Sequence, residues 1–413
     1  MTALAQAAFE RVVDHLVNLP DQPVSKNAGG KKLARFLREP MPERGAPMER
    51  LLRLLFGRVL PVSLNTASPG YLAYIPGGGL FQSAVADFIA LATNRYAGVW
   101  LAAPGLVQLE TNVLRWFCDL LSLPESALGL LVSGGSMANL IGIVTARRLR
   151  FPRGFEHARL YVSDQAHHSV LKAASFAGFY AEQVRVVPSD ARFRMDVRGM
   201  KEMIAADLAA GLEPFLVVAS AGTTNTGAVD PLPELADLAG AHRLWLHGDA
   251  AAGGCGEFNG GGRRALRGIE QADSIALDPH KGMFLPYGTG CLLVRDRAHL
   301  RRAHGQSAAY MPAMQSDAEL VDFCEYGPEL SREARGLRVW LPLKLHGAEA
   351  FRLALDEKLD LAHEAADAIR RLPGMEIVAE PELSLFAFRH HPRSGMSEAE
   401  LEEHNRALLG RIN

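Results

Sequence analysis

The run Ala272-Asp273-Ser274-Ile275-Ala276-Leu277-Asp278-Pro279-His280-Lys281-Gly282 carries an apolar strand pattern straight into a turn that presents one amine. A second apolar run follows at Tyr287-Gly288-Thr289-Gly290-Cys291-Leu292-Leu293-Val294, so Lys281 stands between two stretches suited to the interior. Desolvation disfavours the ammonium form, and a lysine placed in this way becomes a nucleophile able to form a Schiff base with a carbonyl. The tetrapeptide Asp278-Pro279-His280-Lys281 equally suits a lysine that snorkels from a strand end. What separates the two readings lies upstream.

In Leu131-Val132-Ser133-Gly134-Gly135-Ser136-Met137-Ala138-Asn139 a strand passes through a glycine turn into a helix. The first amides of such a helix point at whatever sits above the strand, which is a phosphate site by geometry; an ordinary strand-helix turn has the same look. The spacing is neither a Walker A loop nor a dinucleotide fingerprint. Tyr161-Val162-Ser163-Asp164-Gln165-Ala166-His167-His168-Ser169 ends a second strand in polar groups, where an imidazole can lie against a planar ligand or simply cap a helix. Small hydroxyl residues end a third strand at Ala219-Ser220-Ala221-Gly222-Thr223-Thr224-Asn225-Thr226. Leu244-Trp245-Leu246-His247-Gly248-Asp249-Ala250-Ala251 puts a carboxylate at the end of a strongly apolar strand, where it needs a partner: an arginine, or a protonated ring nitrogen.

Short β-branched apolar runs at residues 129–132, 159–162, 215–218, 244–247, 274–277 and 290–294 alternate with helical stretches, which predicts an α/β fold with a mostly parallel sheet covered by helices. Residues 1–60 read as two or three helices too open to build their own core, residues 61–345 as the large domain, and residues 346–413 as a small α+β domain. Within the last, residues 338–372 form a long helical pattern and 375–378 and 383–389 read as strands; Gly327-Pro328-Glu329 reads as a hinge before it.

At 413 residues and 48% hydrophobic content the chain can bury a large core. A net charge of −2 gives no electrostatic drive toward nucleic acid or an anionic membrane, and Arg263-Arg264 reads as solvated surface. No run is long and apolar enough for a bilayer span, and residues 1–19 lack a signal-peptide pattern, so a soluble, cytoplasmic protein is expected. Cys118, Cys255, Cys291 and Cys324 show neither zinc nor Cys-x-x-Cys spacing, which predicts buried thiols and no metal site.

Taken in order, Ser-Gly-Gly-Ser, Ser-Asp-Gln-Ala-His, Gly-Thr-Thr, His-Gly-Asp-Ala-Ala and Asp-Pro-His-Lys resemble the group II pyridoxal-phosphate-dependent amino acid decarboxylases, which include the aromatic amino acid, histidine and glutamate decarboxylases. The resemblance extends to Gly70-Tyr71-Leu72-Ala73-Tyr74-Ile75-Pro76, Leu330-Ser331-Arg332 and Arg338-Val339-Trp340. It implies the fold-type I architecture, with a seven-stranded sheet and a helical N-terminal arm packed in a homodimer. It implies that Lys281 holds pyridoxal 5′-phosphate as a Schiff base, that Asp249 keeps the ring nitrogen protonated, and that His167 and Ala251 contact the two ring faces. Gly135, Ser136 and His280 would hold the phosphate, with Asp278 nearby and Thr224 beside the ring's polar edge. Tyr74, Ile75, Pro76 and Trp100 would shape a pocket for an aromatic or bulky apolar substrate, although plain core packing explains them equally. The implied reaction is decarboxylation of an L-amino acid to the amine and carbon dioxide.

Met137 departs from a glutamate, and His168 from a serine, common in relatives. Counting back from Gly327 puts Phe323 where aromatic decarboxylases carry a proton-donating tyrosine, an exchange that favours oxidative deamination to an aldehyde unless Tyr310 or Tyr326 supplies the hydroxyl. The chain also stops at Asn413, short of a strand-rich stretch that the resemblance leads one to expect. Two other readings remain: a non-catalytic relative, against which the pairing of Lys281 with Asp249 speaks, and a fold-type I lyase or desulfurase using Cys255 as its thiol.

Overall fold

The computed structural model describes residues 1–24, 29–75, 77–306, 317 and 319–412. The chain divides into two compact units, Met1–Gly78 and Gly79–Asn413. The first holds helices Thr2–Val17, Gly30–Phe36 and Met48–Leu54. Thr2–Val17 has no buried residue, leaving Leu4 and Phe9 exposed, and Arg11 reaches across to Glu49 at 3.0 Å. This unit extends past the boundary expected at residue 60.

The second unit is built on strands β1 (Leu128–Val132), β2 (Ala158–Ser163), β3 (Val184–Val187), β4 (Glu213–Ser220), β5 (Trp245–Ala250), β6 (Ser274–Leu277) and β7 (Gly290–Val294). They form one sheet in the order β1-β7-β6-β5-β4-β2-β3, in which β7 alone runs antiparallel to its neighbours. Near-continuous apolar runs suit strands covered on both faces by crossover helices: every residue of β1, β6 and β7 is buried. The six runs read from the sequence each seed an observed strand.

β3 was not among those runs, and its physics explains why. It is a four-residue edge strand, half-exposed, whose Arg185 turns outward to bond Asp207 at 2.6 Å.

Parallel register places the strand ends that matter in one row: Ser220 pairs with Asp249 and Ala250 with Leu277. The helix Gly135–Arg150 follows β1 directly and stops before Pro152.

Residue 345, where a small domain was expected to begin, lies inside a helix. The helix Leu337–Arg370 runs through that point, broken only at Gly347 (φ 75°), and both Val339 before the break and Phe351 after it enter the main core. A two-stranded sheet, β8 (Met375–Ala379) with β9 (Ala387–His390), and the helix Glu398–Ile412 complete the unit. The second strand there is shorter than the run 383–389, because Leu383 is drawn into the main core instead. No helix among the described residues is long and apolar enough to cross a membrane.

Candidate active site

Ligands of open α/β sheets bind where strands end and helices begin. At the C-terminal ends of β4, β5 and β6 lies a cavity of about 300 Å³, and Gly135, Ser136, His167, Thr224, Asp249, Ala251, Asp278, His280 and Lys281 all line it. Five segments of sequence thus converge because five strand-to-helix turns open on the same edge.

Gly135 begins its helix against the wall of this cavity. A Cβ there would lie 2.9 Å from the Ala251 Cβ and 3.0 Å from Asp278 Oδ2, so only glycine lets the helix start so close. The helix's first amides, with the Ser136 side chain beside them, form one polar end of the cavity.

Lys281 follows β6 in the short helix Pro279–Gly282; its Nζ lies 3.1 Å from Asp278 Oδ2. The other carboxylate oxygen of Asp278 is buried with no hydrogen-bond partner, an orphan acceptor beside the amine. His280 Nδ1 accepts from the Thr289 N–H at 3.3 Å, and burial holds its imidazole below the usual histidine range.

Asp249 is 6% exposed. Its Oδ2 accepts from Asn139 Nδ2 at 2.9 Å and its Oδ1 from the Ala251 N–H at 3.2 Å, and no cationic side chain among the described residues lies within 4.0 Å of it. His167 Nδ1 bonds Ser169 Oγ at 2.7 Å; burial lowers its pKa, and its ring stacks on that of His168 at 5.0 Å. His168 itself is exposed and is not part of the cavity lining. Met137 and Ser220 do line the cavity, as do Asn139 and Ser169, the last two of which did not stand out in the sequence. The signal for Asn139 was there: an amide one helical turn into an otherwise apolar face.

Of the expected substrate-pocket residues, those in the second unit, Trp100 and Phe323, are absent from the lining. Tyr74 is exposed and Ile75 half-buried in the first unit, and Pro76 and Tyr310 fall outside the described residues. Trp100 packs half-buried on the core of the second unit.

Phe323, expected to shape the substrate pocket, sits in the core. It is fully buried, with its ring under the Arg332 guanidinium (4.7 Å) and edge-on to Tyr326 (6.2 Å), and it does not line the cavity. Arg332 is itself buried and bonds Glu110 at 2.7 Å, so the phenylalanine face covers a desolvated ion pair. Cys255 is also absent from the lining, and burial pushes its thiol up to about 12, which removes it as a nucleophile. All four cysteines are buried and unpaired, and no cluster of metal-binding side chains occurs among the described residues.

The Pyridoxal-dependent decarboxylase conserved domain matches residues 31–391. Over 413 residues the chain is 37% identical to an aromatic-L-amino-acid decarboxylase of Bacillus atrophaeus, covering 100% of this chain and 86% of that one. It is 30% identical to phenylacetaldehyde synthase of Arabidopsis thaliana, covering 97% and 84%. A crystal structure of Oryza sativa TDC with PLP and tryptamine matches with a TM-score of 0.93 at 29% identity, covering 99% of this chain and 88% of that one.

Pyridoxal phosphate is the cofactor, and the lining fits it. An amine is present for its aldehyde, a helix start for its phosphate, and a carboxylate without an internal cation for its ring nitrogen. On this family match, relatives aligned nearly end to end and a cavity with the matching chemistry, the chain belongs to the pyridoxal-dependent decarboxylases.

Proposed function

We propose that the protein decarboxylates an aromatic L-amino acid to its amine and carbon dioxide, acting as a cytoplasmic homodimer. As a pyridoxal-phosphate carboxy-lyase it breaks the bond between the α-carbon and the carboxylate, and the bound cofactor supplies the electron sink for that cleavage.

The lining supports the following residue roles. Lys281 would hold the cofactor through its Nζ, Gly135, Ser136 and His280 would take the phosphate, and Asp249 would face the ring nitrogen. His167 and Ala251 would border the two ring faces, with Thr224 at the polar edge. Asp278, 3.1 Å from the lysine, offers a nearby site for the amine's proton. The proton that ends up on the α-carbon balances the departing carbon dioxide.

The observation that carries the aromatic substrate is the 37% identity, along the whole chain, to a decarboxylase of aromatic amino acids. A second reading, oxidative deamination to an aldehyde, draws support from the 30% identity to phenylacetaldehyde synthase. The placement of Phe323 in the core lends it none.

The test is a product assay on protein loaded with pyridoxal phosphate and offered phenylalanine, tyrosine, tryptophan, histidine and glutamate. Amine and carbon dioxide from the first three are expected. Aldehyde with peroxide and ammonia would establish the second reading, and turnover confined to glutamate or histidine would overturn the aromatic assignment. Sedimentation at about twice the 44.8 kDa chain mass is expected for the homodimer.

A further inference from the structure

Behind the cavity a column of buried polar groups crosses the sheet. Trp245 Nε1 lies 2.8 Å from Ser274 Oγ, Ser274 Oγ 2.7 Å from His247 Nδ1, and His247 Nε2 2.9 Å from Asn139 Oδ1. Asn139 Nδ2 then reaches Asp249 Oδ2 at 2.9 Å and Ser169 Oγ at 3.1 Å, and Ser169 Oγ reaches His167 Nδ1 at 2.7 Å. Ser274, His247 and Asn139 are each no more than 1% exposed.

Donor chemistry gives this column one direction. The Asp249 carboxylate only accepts, so the Asn139 amide nitrogen faces it and the Asn139 carbonyl faces His247 Nε2, which must donate. Nδ1 of the neutral ring then accepts the Ser274 hydroxyl proton, and Ser274 accepts from the Trp245 indole N–H. Both amide hydrogens of Asn139 are thereby aimed at Asp249 and Ser169. The opposite amide orientation would set a carbonyl oxygen 2.9 Å from the Asp249 carboxylate, acceptor against acceptor. Ser169, having accepted, donates to His167 Nδ1, where its own N–H also points at 3.3 Å. His167 is left with its proton on Nε2.

Space for the column is built into a helix. A Cβ at Gly142, in the middle of Gly135–Arg150, would lie 2.8 Å from His247 Cε1. A poor helix former thus stands where an imidazole needs room.

We propose that Trp245, Ser274, His247 and Asn139 form a one-way hydrogen-bond chain that orients the Asp249 carboxylate and sets His167 as the Nε2–H tautomer. His247 is then a positioning residue for two groups of the active site, neither of which it touches. The inference rests on the reading of this cavity as the pyridoxal-phosphate site.

Nitrogen-15 histidine spectra of the full-length protein, with and without pyridoxal phosphate, report the tautomers without requiring turnover. His247 and His167 are both expected as Nε2–H. In His247→Phe, His167 should lose its single tautomer, pyridoxal phosphate should bind about tenfold more weakly, and kcat should fall roughly 10- to 100-fold with KM little changed. His247→Gln, which keeps a donor toward Asn139, should recover most of kcat. Ser274→Ala, farther from the cavity, should give His247 mixed tautomers and a few-fold loss of kcat. A proton on Nδ1 of His167 in the parent protein would overturn the chain's direction. Variants that melt earlier yet keep the parent kcat, cofactor affinity and tautomers would reduce the column to scaffold. Absence of turnover on every amino acid would sink the functional reading while leaving the tautomer result to stand or fall alone.

Discussion

Among the carboxylates buried in the second unit, Glu110 and Asp249 are treated in opposite ways. Glu110 is 1% exposed and meets a cation from its own chain, Arg332 at 2.7 Å, with Phe323 closing over the guanidinium. Asp249 is 6% exposed and meets only neutral donors, the Asn139 amide and the Ala251 N–H. A buried negative charge is costly unless paired. The first charge is neutralised within the fold, although Glu110 Oε2 and Arg332 Nε and Nη1 find no hydrogen-bond partner of their own; the second is held without a cation at the edge of a cavity, ready for one from outside.

Lys281→Ala gives the largest effect expected, loss of turnover to background in the product assay. The variant should also melt earlier, because Asp278 is buried and loses the ammonium 3.1 Å from its Oδ2. Arg332→Met should instead act on the fold alone, costing about 3–5 kcal/mol in urea unfolding by stranding Glu110. The double variant Arg332→Met with Glu110→Leu should recover most of that loss, since an ion pair replaced whole by apolar groups is near neutral. If the double variant stayed as unstable as the single, the closed pair would be more than packing.

Asp249→Asn should keep the fold and reduce kcat by roughly 100-fold, about 2.7 kcal/mol of barrier. Equal activity in that variant would erase the distinction between the two carboxylates. The smallest effect concerns pH. Burial lowers the pKa of His247 from its ordinary 6.5, so its contribution to stability is complete above 6.5 and is lost as pH falls toward the lower folded value. Unfolding midpoints measured between pH 7.5 and 5 should therefore drop by an amount on the order of 1 kcal/mol that is absent in His247→Gln.

The open half of this comparison was largely legible in the sequence and the closed half was not. Strand ends announce themselves when an apolar run stops at a polar residue, which is how Asp249, His167 and Lys281 were singled out. Asn139 sat inside a quoted motif yet escaped notice, because an amide in mid-helix looks alike whether it faces solvent or a carboxylate. Chain position in a loop says nothing about which way the Phe323 ring turns; only the packing shows it under Arg332. β3 hid behind its exposed edge, and only the packing shows Val339 and Phe351, on either side of the break at Gly347, in one core.

The residues that line the cavity reach from Ser133 to Lys281, and β7, which seats β6 beside β1, comes later still. No early portion of the chain can assemble the site during synthesis, so cofactor binding waits for the whole sheet. From then on mass action holds it: pyridoxal phosphate at 100 times its dissociation constant adds about 2.7 kcal/mol to the folded state. Vitamin supply in the cell would then govern how much of this protein survives proteolysis as well as how fast each molecule turns over.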